Sequence, residues 1–276
     1  MTLIPEHWLQ PDWPAPQRVR AVMTDRHGGL SGAPWDSMNL GDHVGDVPSH
    51  VASNRHRLRE AIGTPPVFLK QVHGVQVLPV HAGLADGTEA DACFAQQSGI
   101  ACTIMVADCL PVLMCDAAGR WVAAAHAGWR GLAGEVVAGV KAETEAGTGA
   151  GLGVLESLLN TAPLSGTPAH EILVWLGPCI GPQAFEVGPE VKAAFCRGLP
   201  AAEAHFQPNG PHKWWADLPG LARLRLQMRG VTQIFGNNSQ PQWCTASQSS
   251  KFFSHRRDSR LFGQSGRMAA CIWLDH

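Results

Sequence analysis

Two histidines and one cysteine stand where strands are predicted to end, and their side chains suit metal or acid–base chemistry. His73 and Cys109 each follow an apolar run, and His126 closes another. Two imidazoles and a thiolate leave the fourth position of a tetrahedral zinc ion open to water, which is the catalytic rather than the structural pattern. Zinc lowers the pKa of such a water towards neutrality. The same residues also fit a metal-free alternative, in which Cys109 is a nucleophile activated by a histidine base.

A predicted hairpin brings two of these residues together. Two apolar runs flank the turn Ala117-Ala118-Gly119, where glycine suits the left-handed position of a tight turn. In the register that this turn favours, Cys109 lies opposite or diagonal to His126, and cross-strand Cβ atoms are about 4.5–5.5 Å apart. Pro111 can bend the first strand and shift this register.

The remaining pattern predicts an α+β fold, one compact domain in which mixed β-sheets are flanked by helices. Residues 1–18, rich in proline and tryptophan, form an N-terminal arm, and residues 19–276 form a single catalytic domain. Apolar periodicity and helix-end signals predict the main elements. They are strands at 19–24, 67–72, 76–80, 100–106, 172–176 and 268–274, and helices at 48–63, 189–197 and 218–229.

One stretch in the middle of the chain is predicted to leave the core. A helix from about Leu132 to Glu145 follows Gly128-Trp129-Arg130-Gly131. The glycine-rich run at 146–153 then breaks the pattern, and we expect it to open a surface insertion that extends to about Thr167. The run lacks the third glycine of G-x-G-x-x-G and no strand leads into it, which disfavours a dinucleotide site.

Composition excludes several classes of function. The chain has 276 residues, with 21 Lys+Arg against 23 Asp+Glu and a formal net charge of −2. This balance gives no bulk attraction for nucleic acid or an anionic membrane. No apolar run approaches the roughly 18–20 residues that span a bilayer, and the N-terminal residues do not resemble a signal peptide. We expect a cytoplasmic protein with a small-molecule substrate and neither nucleic-acid nor membrane partners; the oligomeric state is not predicted.

Standard catalytic motifs are missing from the sequence. There is no H-E-x-x-H, no G-x-S-x-G and no G-x-x-x-x-G-K-[ST], and the eight cysteines contain no C-x-x-C pair. Arg130 is the basic residue that stands beside the predicted site in sequence. Its guanidinium can hold phosphate or carboxylate with two hydrogen bonds, and the flanking glycines allow a ligand close to the backbone.

Four collinear segments together resemble one bacterial family. They are Gln71-Val-His-Gly74, Ala107-Asp-Cys-Leu-Pro-Val112, Ala125-His-Ala-Gly-Trp-Arg-Gly131 and Leu176-Gly-Pro-Cys-Ile-Gly-Pro182. With them the chain is similar to the laccase-domain family, also called the multicopper polyphenol oxidase or YfiH-like family, from about Met23 to Arg267. Asp25, Trp35 and His255 depart from residues usual in that family, which bears on substrate preference rather than on the proposed ligands.

The resemblance implies a YfiH-like fold of the cysteine-hydrolase type and a metal site on His73, Cys109 and His126, which would also be the catalytic residues. It implies zinc, with copper as the alternative. The implied activities are phosphorolysis of adenosine, inosine and 5′-methylthioadenosine, with phosphate as co-substrate, and deamination of adenosine. Six further residues are then expected to bind substrate, and Arg130, with Arg55 or Arg256, is expected to hold phosphate. The six are Asn39, Arg55, Gln71, Asp91, Arg130 and Arg256.

Three rival functions stay open at this point. A copper polyphenol oxidase is suggested by one family name, but multicopper centres use H-x-H pairs and this sequence has none. A metal-free amidase that edits peptidoglycan precursors would use Cys109 as its nucleophile. A ligand-binding or scaffold protein without catalysis would hold no metal, and the grouping of chemical side chains at strand ends argues against it.

Overall fold

The computed structural model describes residues 4–134 and 151–275 of the chain. These residues form thirteen strands and six α-helices. The strands are β1 (Val19–Met23), β2 (Pro66–Phe68), β3 (Val77–Pro79), β4 (Ala92–Ala95), β5 (Ala101–Val106), β6 (Leu110–Asp116), β7 (Val122–Ala127), β8 (Ile172–Leu176), β9 (Glu186–Val187), β10 (Phe206–Pro208), β11 (Trp214–Ala216), β12 (Gln233–Gly236) and β13 (Met268–Leu274). The helices are α1 (Pro48–Ile62), α2 (Trp129–Ala133), α3 (Val154–Asn160), α4 (Pro189–Cys196), α5 (Leu218–Met228) and α6 (His255–Phe262).

The strands make three sheets. The four-stranded sheet has the order β1-β13-β5-β2, the six-stranded sheet has the order β12-β8-β6-β7-β4-β3, and β10-β11-β9 form a small third sheet. Parallel and antiparallel pairs occur within both large sheets, as the mixed-sheet prediction requires. The chain passes from the first large sheet to the second between β5 and β6, which are separated by only three residues.

Alternating apolar residues explain why the sheets stack. On β5, Cys102 and Ile104 face the interior between the two large sheets, where they meet Leu113 and Val122 of the six-stranded sheet. The outer face of the four-stranded sheet packs against α1, and the outer face of the six-stranded sheet packs against α3, α4 and α5. Strands that are buried on both faces in this way consist almost entirely of apolar residues. The result is one compact domain with two central sheets between helical layers.

Several predicted elements are confirmed with small changes in their bounds, but the strand predicted at 67–72 is shorter than predicted and ends at Phe68. Helix α1 has Pro48 in its first turn and ends at Gly63, whose φ of 70° is the left-handed conformation that glycine adopts at low cost. Strand β13 has the predicted bounds, and β5 begins one residue later than predicted.

The predicted surface insertion at 146–167 is wrong for the part of it that the structure describes. Residues Val154 to Asn160 form α3, whose Leu155 and Leu158 are buried against the six-stranded sheet together with Leu164. The helix is only seven residues long and directly follows a glycine-rich run, so too few residues are present for the apolar periodicity of a helix to be recognised in the sequence. The C-terminal part of the helix predicted at 132–145 lies outside the described residues.

The hairpin forms, and of the two predicted positions of Cys109 relative to His126, opposite or diagonal, the structure shows the diagonal one. Pro111, rather than Cys109, pairs directly with His126, which leaves Cys109 diagonal to the histidine. The connection is longer than three residues because the carboxylate of Asp116 accepts hydrogen bonds from the backbone N–H groups of Arg120 (2.6 Å) and Trp121 (3.2 Å). This local turn delays the return strand until Val122.

The N-terminal residues that are described pack onto the domain. Trp8 is buried in the core beneath the four-stranded sheet, and Leu9 pairs with Met23 in an antiparallel bridge. The division at residue 18 stays a prediction. None of the helices in the described ranges has both the length and the apolar character needed to cross a membrane.

Candidate metal and active site

His73, Cys109 and His126 converge at one end of the two large sheets. Each side chain offers a donor atom, and these three atoms lie within 4.8 Å of one another. Cys109 Sγ is 3.6 Å from His73 Nε2, and the two imidazole ring centroids are 4.7 Å apart. His73 comes from the loop after β2, Cys109 from the β5–β6 turn and His126 from β7. The three predicted residues are therefore brought together from three separate elements.

Asp91 fixes two of these residues at once. Its Oδ1 lies 2.8 Å from His126 Nδ1 and accepts a hydrogen bond from the backbone N–H of His73 (2.9 Å). Its Oδ2 accepts from the N–H groups of Val72 (3.1 Å) and Gly74 (2.7 Å). Burial opposes its ionisation, but the hydrogen bonds from His126 and the loop lower the pKa of this carboxyl group. Asp91 therefore shapes the loop that carries His73, whose φ of 64° is unusual for histidine.

Two glycines let the backbone approach the site closely. A Cβ atom at Gly128 would lie 2.7 Å from His73 Cδ2 and 3.1 Å from Cys109 Sγ. At Gly131 it would lie 2.6 Å from the carbonyl oxygen of Gly74. Both distances are too short for a side chain, which explains why the segment from 128 to 131 has glycine at each end.

Asp108 holds the turn that presents Cys109. Its carboxylate is buried and accepts hydrogen bonds from Thr245 Oγ1 (2.5 Å), Ser254 Oγ (3.0 Å) and the backbone N–H of Arg256 (2.6 Å). The residue has a φ of 84°, a conformation that costs energy for any residue with a Cβ. The three hydrogen bonds maintain this strained turn and join it to the start of α6.

The Cys109–His126 pair favours charge separation in the metal-free protein. Burial opposes ionisation of the thiol, but the charge and hydrogen bond of His126, assisted by His73, lower the pKa of Cys109 to about 6. Burial likewise disfavours the imidazolium of His126, yet the Cys109 thiolate and Asp91 raise the pKa of His126 to about 9. A thiolate beside an imidazolium is the reactive form of a cysteine.

The chemistry of this donor set fits a metal ion. His126 directs Nδ1 at the Asp91 carboxylate, which leaves Nε2 free to coordinate a metal ion. A carboxylate that does not itself bind the metal commonly orients a ligating histidine in this way. Cys109 is readily deprotonated, as a thiolate ligand must be. Two imidazoles and one thiolate suit zinc or copper and leave coordination positions open.

A cavity of about 440 Å³ lies over the three residues. One part of its wall is apolar, with Phe185, Ile180 and Leu218. Another part carries positive charge from Arg130, Arg256 and Arg267. The volume is that of a small-molecule site, and the mixed wall suits a ligand with an apolar ring and an anionic or polar end.

Three of the six residues predicted to bind substrate line this cavity: Gln71, Arg130 and Arg256. The amide of Gln71 is already paired with the backbone of Met105, through a 2.7 Å hydrogen bond in each direction. The guanidinium of Arg130 stacks 4.4 Å from the ring centroid of Trp129. Arg256 donates from Nη1 to the carbonyl oxygen of Glu186 (3.1 Å).

The other three predicted residues lie behind the cavity wall. Asp91 is fully buried under the histidines. Asn39 is also buried, and its amide joins Asp46 (2.8 Å) to the backbone N–H of Arg267 (2.9 Å). Arg55 donates to the carbonyl oxygen of Leu40 (2.9 Å) and stacks on a neighbouring phenylalanine. These positions favour support of the wall over contact with a ligand.

Sequence reasoning missed several residues of the site. Asp108 stands beside the predicted cysteine, and its carboxylate type next to a strand end was a usable signal. His43 and Arg267 line the cavity beside His255, which the sequence marked only as a departure from the family pattern, and only the tertiary fold brings His43 to the other two. No spacing within the sequence relates these three to one another.

Comparison with known proteins gives matches over nearly the whole chain. A family model described as multi-copper polyphenol oxidoreductase laccase matches residues 20–275. The chain is 48% identical over 268 residues to a Pseudomonas aeruginosa protein named purine nucleoside phosphorylase PA4543, with 97% of this chain and 98% of that protein covered. Identity to purine nucleoside phosphorylase YfiH of Escherichia coli is 45% over 268 residues, covering 96% and 98%.

A solved structure has the same architecture. The crystal structure of Neisseria meningitidis protein NMB0706 is similar with a TM-score of 0.84 and 41% sequence identity, covering 98% of this chain and 100% of that one. Sequence and structure comparisons thus agree over the full length of the described domain.

Proposed function

Because this chain belongs to the family described as multi-copper polyphenol oxidoreductase laccase, and its relatives include proteins named purine nucleoside phosphorylase, we propose that it is a metal-dependent purine nucleoside phosphorylase. The substrates proposed are adenosine, inosine and 5′-methylthioadenosine, with phosphate as the second substrate. Deamination of adenosine is proposed as a second activity of the same site, and zinc is proposed as the metal.

One observation carries this proposal. The three donor atoms of His73, Cys109 and His126 lie within 4.8 Å of one another, at the floor of a cavity whose wall is partly apolar and partly cationic. An apolar surface suits the base of a purine nucleoside, and arginine suits phosphate, which it can bind with two parallel hydrogen bonds. Phenol oxidation gains no comparable support, because multicopper chemistry requires further copper centres and the described residues contain one such donor cluster.

The chain's own residues supply binding and orientation for phosphorolysis. A phosphate oxygen must bond to C1′ of the ribose while the C1′–N9 bond breaks. The bonding electrons leave with the base, and the proton that the phosphate hydroxyl gives up balances the proton that the base gains. Arginines at the wall stabilise the anionic nucleophile as positive charge develops on the sugar. Phe185 and Ile180 offer the apolar surface against which the base can lie. Asp108 holds the backbone of Arg256, and Asp91 holds the loop that carries His73, so these residues are placed before substrate arrives.

Deamination makes a different demand on the site. Water must add to C6 of adenosine and ammonia must leave after it accepts a proton. Zinc, when bound, would supply Lewis acidity and lower the pKa of water, which is the chemistry that this step requires. His73, Cys109 and His126 are the residues that would hold it, and Asp91 would keep His126 in the ligating orientation.

The test is product analysis with purified protein of measured metal content. Adenosine is incubated with and without phosphate, and the products are separated by chromatography. We expect adenine only when phosphate is present, and inosine in both conditions. Protein stripped of metal and then reloaded with zinc or copper identifies the metal that restores turnover. A Cys109→Ala variant is the negative control; full activity in that variant would disprove the assignment, as would no turnover of adenosine by zinc-loaded protein.

A second candidate is a metal-free cysteine amidase acting on peptidoglycan precursors. The observation that favours it is the line Cys109–His126–Asp91, in which His126 lies beside the thiol and is oriented by a carboxylate. Such a triad activates a thiolate for attack on an amide carbonyl. Release of an amino acid from a muropeptide precursor by chelator-treated protein would favour this candidate. Dependence of all activity on added metal would exclude it.

A further inference from the structure

Three arginines line the cavity without an ion-pair partner. Arg130, Arg256 and Arg267 pair with no carboxylate in the described part of the chain, whereas Arg55 pairs with Asp42. The one carboxylate on the cavity wall, Asp108, already accepts three hydrogen bonds from other groups. Three guanidinium groups thus face one carboxylate on the wall, and this excess of positive charge favours an anionic ligand.

Arg267 is the most firmly placed of the three. Its side chain lies across Gly41, where an added Cβ would be 2.7 Å from Arg267 Cγ. The backbone N–H donates to Asn39 Oδ1 (2.9 Å), and Nη1 donates to the carbonyl oxygens of Ser265 (2.9 Å) and Gly266 (3.1 Å). Within the described residues, Nε and Nη2 donate to no protein group, so one edge of the guanidinium is free to face the cavity.

Two imidazoles accompany Arg267 at the same wall. His43 and His255 are exposed residues that line the cavity. Partial burial of each ring and then the charge of Arg267 lower the pKa of both imidazoles, which favours their neutral form. A neutral imidazole can donate one hydrogen bond to an oxyanion while the guanidinium supplies the charge. His43 differs from this, because its Nδ1 hydrogen points towards the Asp42 carboxylate (3.4 Å); Nε2 of the neutral ring is then an acceptor and can receive the P–O–H hydrogen of a phosphate ion.

The other two arginines are less suited to anchor a small anion. Arg130 is exposed to solvent, and its guanidinium lies over the ring of Trp129. Arg256 donates to the carbonyl oxygen of Glu186 and lies 5.7 Å from the ring centroid of Phe185, on the apolar side of the wall. This arrangement places Arg256 near the base rather than near the phosphate.

We propose that Arg267, with His43 and His255, forms the subsite that binds the phosphate co-substrate, a role that the sequence had suggested for Arg130. The catalytic meaning of this subsite rests on the proposed phosphorolysis, but binding of inorganic phosphate does not require turnover. In this proposal Asn39 and Arg55 position the residues that bind phosphate. Asn39 holds the backbone of Arg267, and Arg55 pairs with Asp42 beside His43.

The kinetic test varies phosphate at saturating nucleoside in the parent protein and in Arg267→Gln. We expect the KM for phosphate to rise about 10- to 100-fold, because a charge-assisted, bidentate contact is lost. The KM for nucleoside should change less than about twofold. Arg267→Lys keeps the charge but not the fork and should fall between the two. Arg59→Gln, an exposed arginine on α1, is the matched control and should behave like the parent.

A binding test separates this proposal from the proposed function. Inorganic phosphate should raise the Tm of zinc-loaded parent protein and of Arg59→Gln, but not that of Arg267→Gln. Phosphate stabilisation without phosphorolysis would uphold the subsite and disprove the proposed activity. Unchanged phosphate stabilisation in both folded Arg267 variants would overturn the subsite. So would a larger loss of phosphate binding in Arg130→Gln than in Arg267→Gln.

Discussion

His126 and Asp91 are joined by a 2.8 Å contact between Nδ1 and Oδ1, and the same carboxylate accepts the backbone N–H of His73. One buried side chain therefore sets the ring orientation of one proposed ligand and the backbone conformation of another. The two proposed ligands come from different elements of the fold, so their relative position depends on this carboxylate.

Replacement of Asp91 by asparagine should weaken metal binding by about 10- to 100-fold, since partners of ligating histidines have effects of this size. The asparagine side chain keeps one oxygen that can accept hydrogen bonds from the loop at residues 72–74. It lacks the negative charge that holds the Nδ1–H of His126. Zinc affinity measured by competition with a chromophoric chelator checks this, and Asp12→Asn, at an exposed position, is the control. Undiminished zinc affinity in Asp91→Asn would show that the carboxylate has only a structural role.

Gly128→Ala should disrupt the site while leaving the fold intact. The new Cβ would lie 2.7 Å from His73 Cδ2, so the imidazole must move. A displacement of about 1 Å at a reacting centre can cost about 100-fold in rate, and we expect a loss of kcat/KM of at least tenfold. Gly32→Ala is the matched control because an added Cβ there meets no atom within 4 Å. Equal activity in the two variants would contradict the close approach described for Gly128.

The Cys109 thiol of metal-free protein should react with iodoacetamide along a pH profile with a midpoint near 6. His126 and His73 lower the pKa of Cys109 to about 6, so the thiolate predominates above this pH and the unreactive thiol below it. His126→Gln removes the larger charge and should move the midpoint upward by about one pH unit or more. Peptide mass spectrometry distinguishes Cys109 from Cys196, whose pKa is raised by burial and by Glu203. A midpoint above 8 in the parent protein would refute the thiolate–imidazolium pair.

Asp108→Asn should reduce the free energy of unfolding by about 1–3 kcal/mol, the range for a buried acceptor whose donors lose their partner. Asparagine tolerates the positive φ of this position, so the effect reports the hydrogen bonds to Thr245, Ser254 and Arg256 rather than backbone strain. Urea unfolding gives the measurement. If Asp108→Ala and Asp108→Asn were both as stable as the parent, the carboxylate would not be what holds the turn.

The sequence was sufficient for features that depend on local pattern. The glycine stop of α1, the β6–β7 hairpin and the placement of Cys109 and His126 at strand ends all follow from turn chemistry and apolar alternation. The sequence did not decide between the opposite and the diagonal position of Cys109, because the Asp116 carboxylate organises a longer connection, which depends on one side chain.

Features that depend on tertiary contacts were beyond the sequence. Asp91 and Asn39 were predicted as substrate contacts, yet each is buried and supports the backbone of residues that reach the cavity. Arg267 entered the sequence analysis only as the end of the family resemblance, because nothing in the sequence brings it to His43 or to the predicted site. A residue type identifies the chemistry that is available, but only the fold decides whether a polar group faces a ligand or the protein.

The short passage from β5 to β6 has a consequence for how activity is lost on heating. Cys109 belongs to a turn with one end in the four-stranded sheet and the other in the six-stranded sheet. The three donor atoms therefore stay together only while the two sheets remain packed against each other through their shared apolar interior. The temperature at which activity is lost should therefore equal the Tm of the domain rather than lie below it. Substitutions far from the cavity, such as at Ile104 or Leu113, should lower the Tm and the temperature of inactivation together.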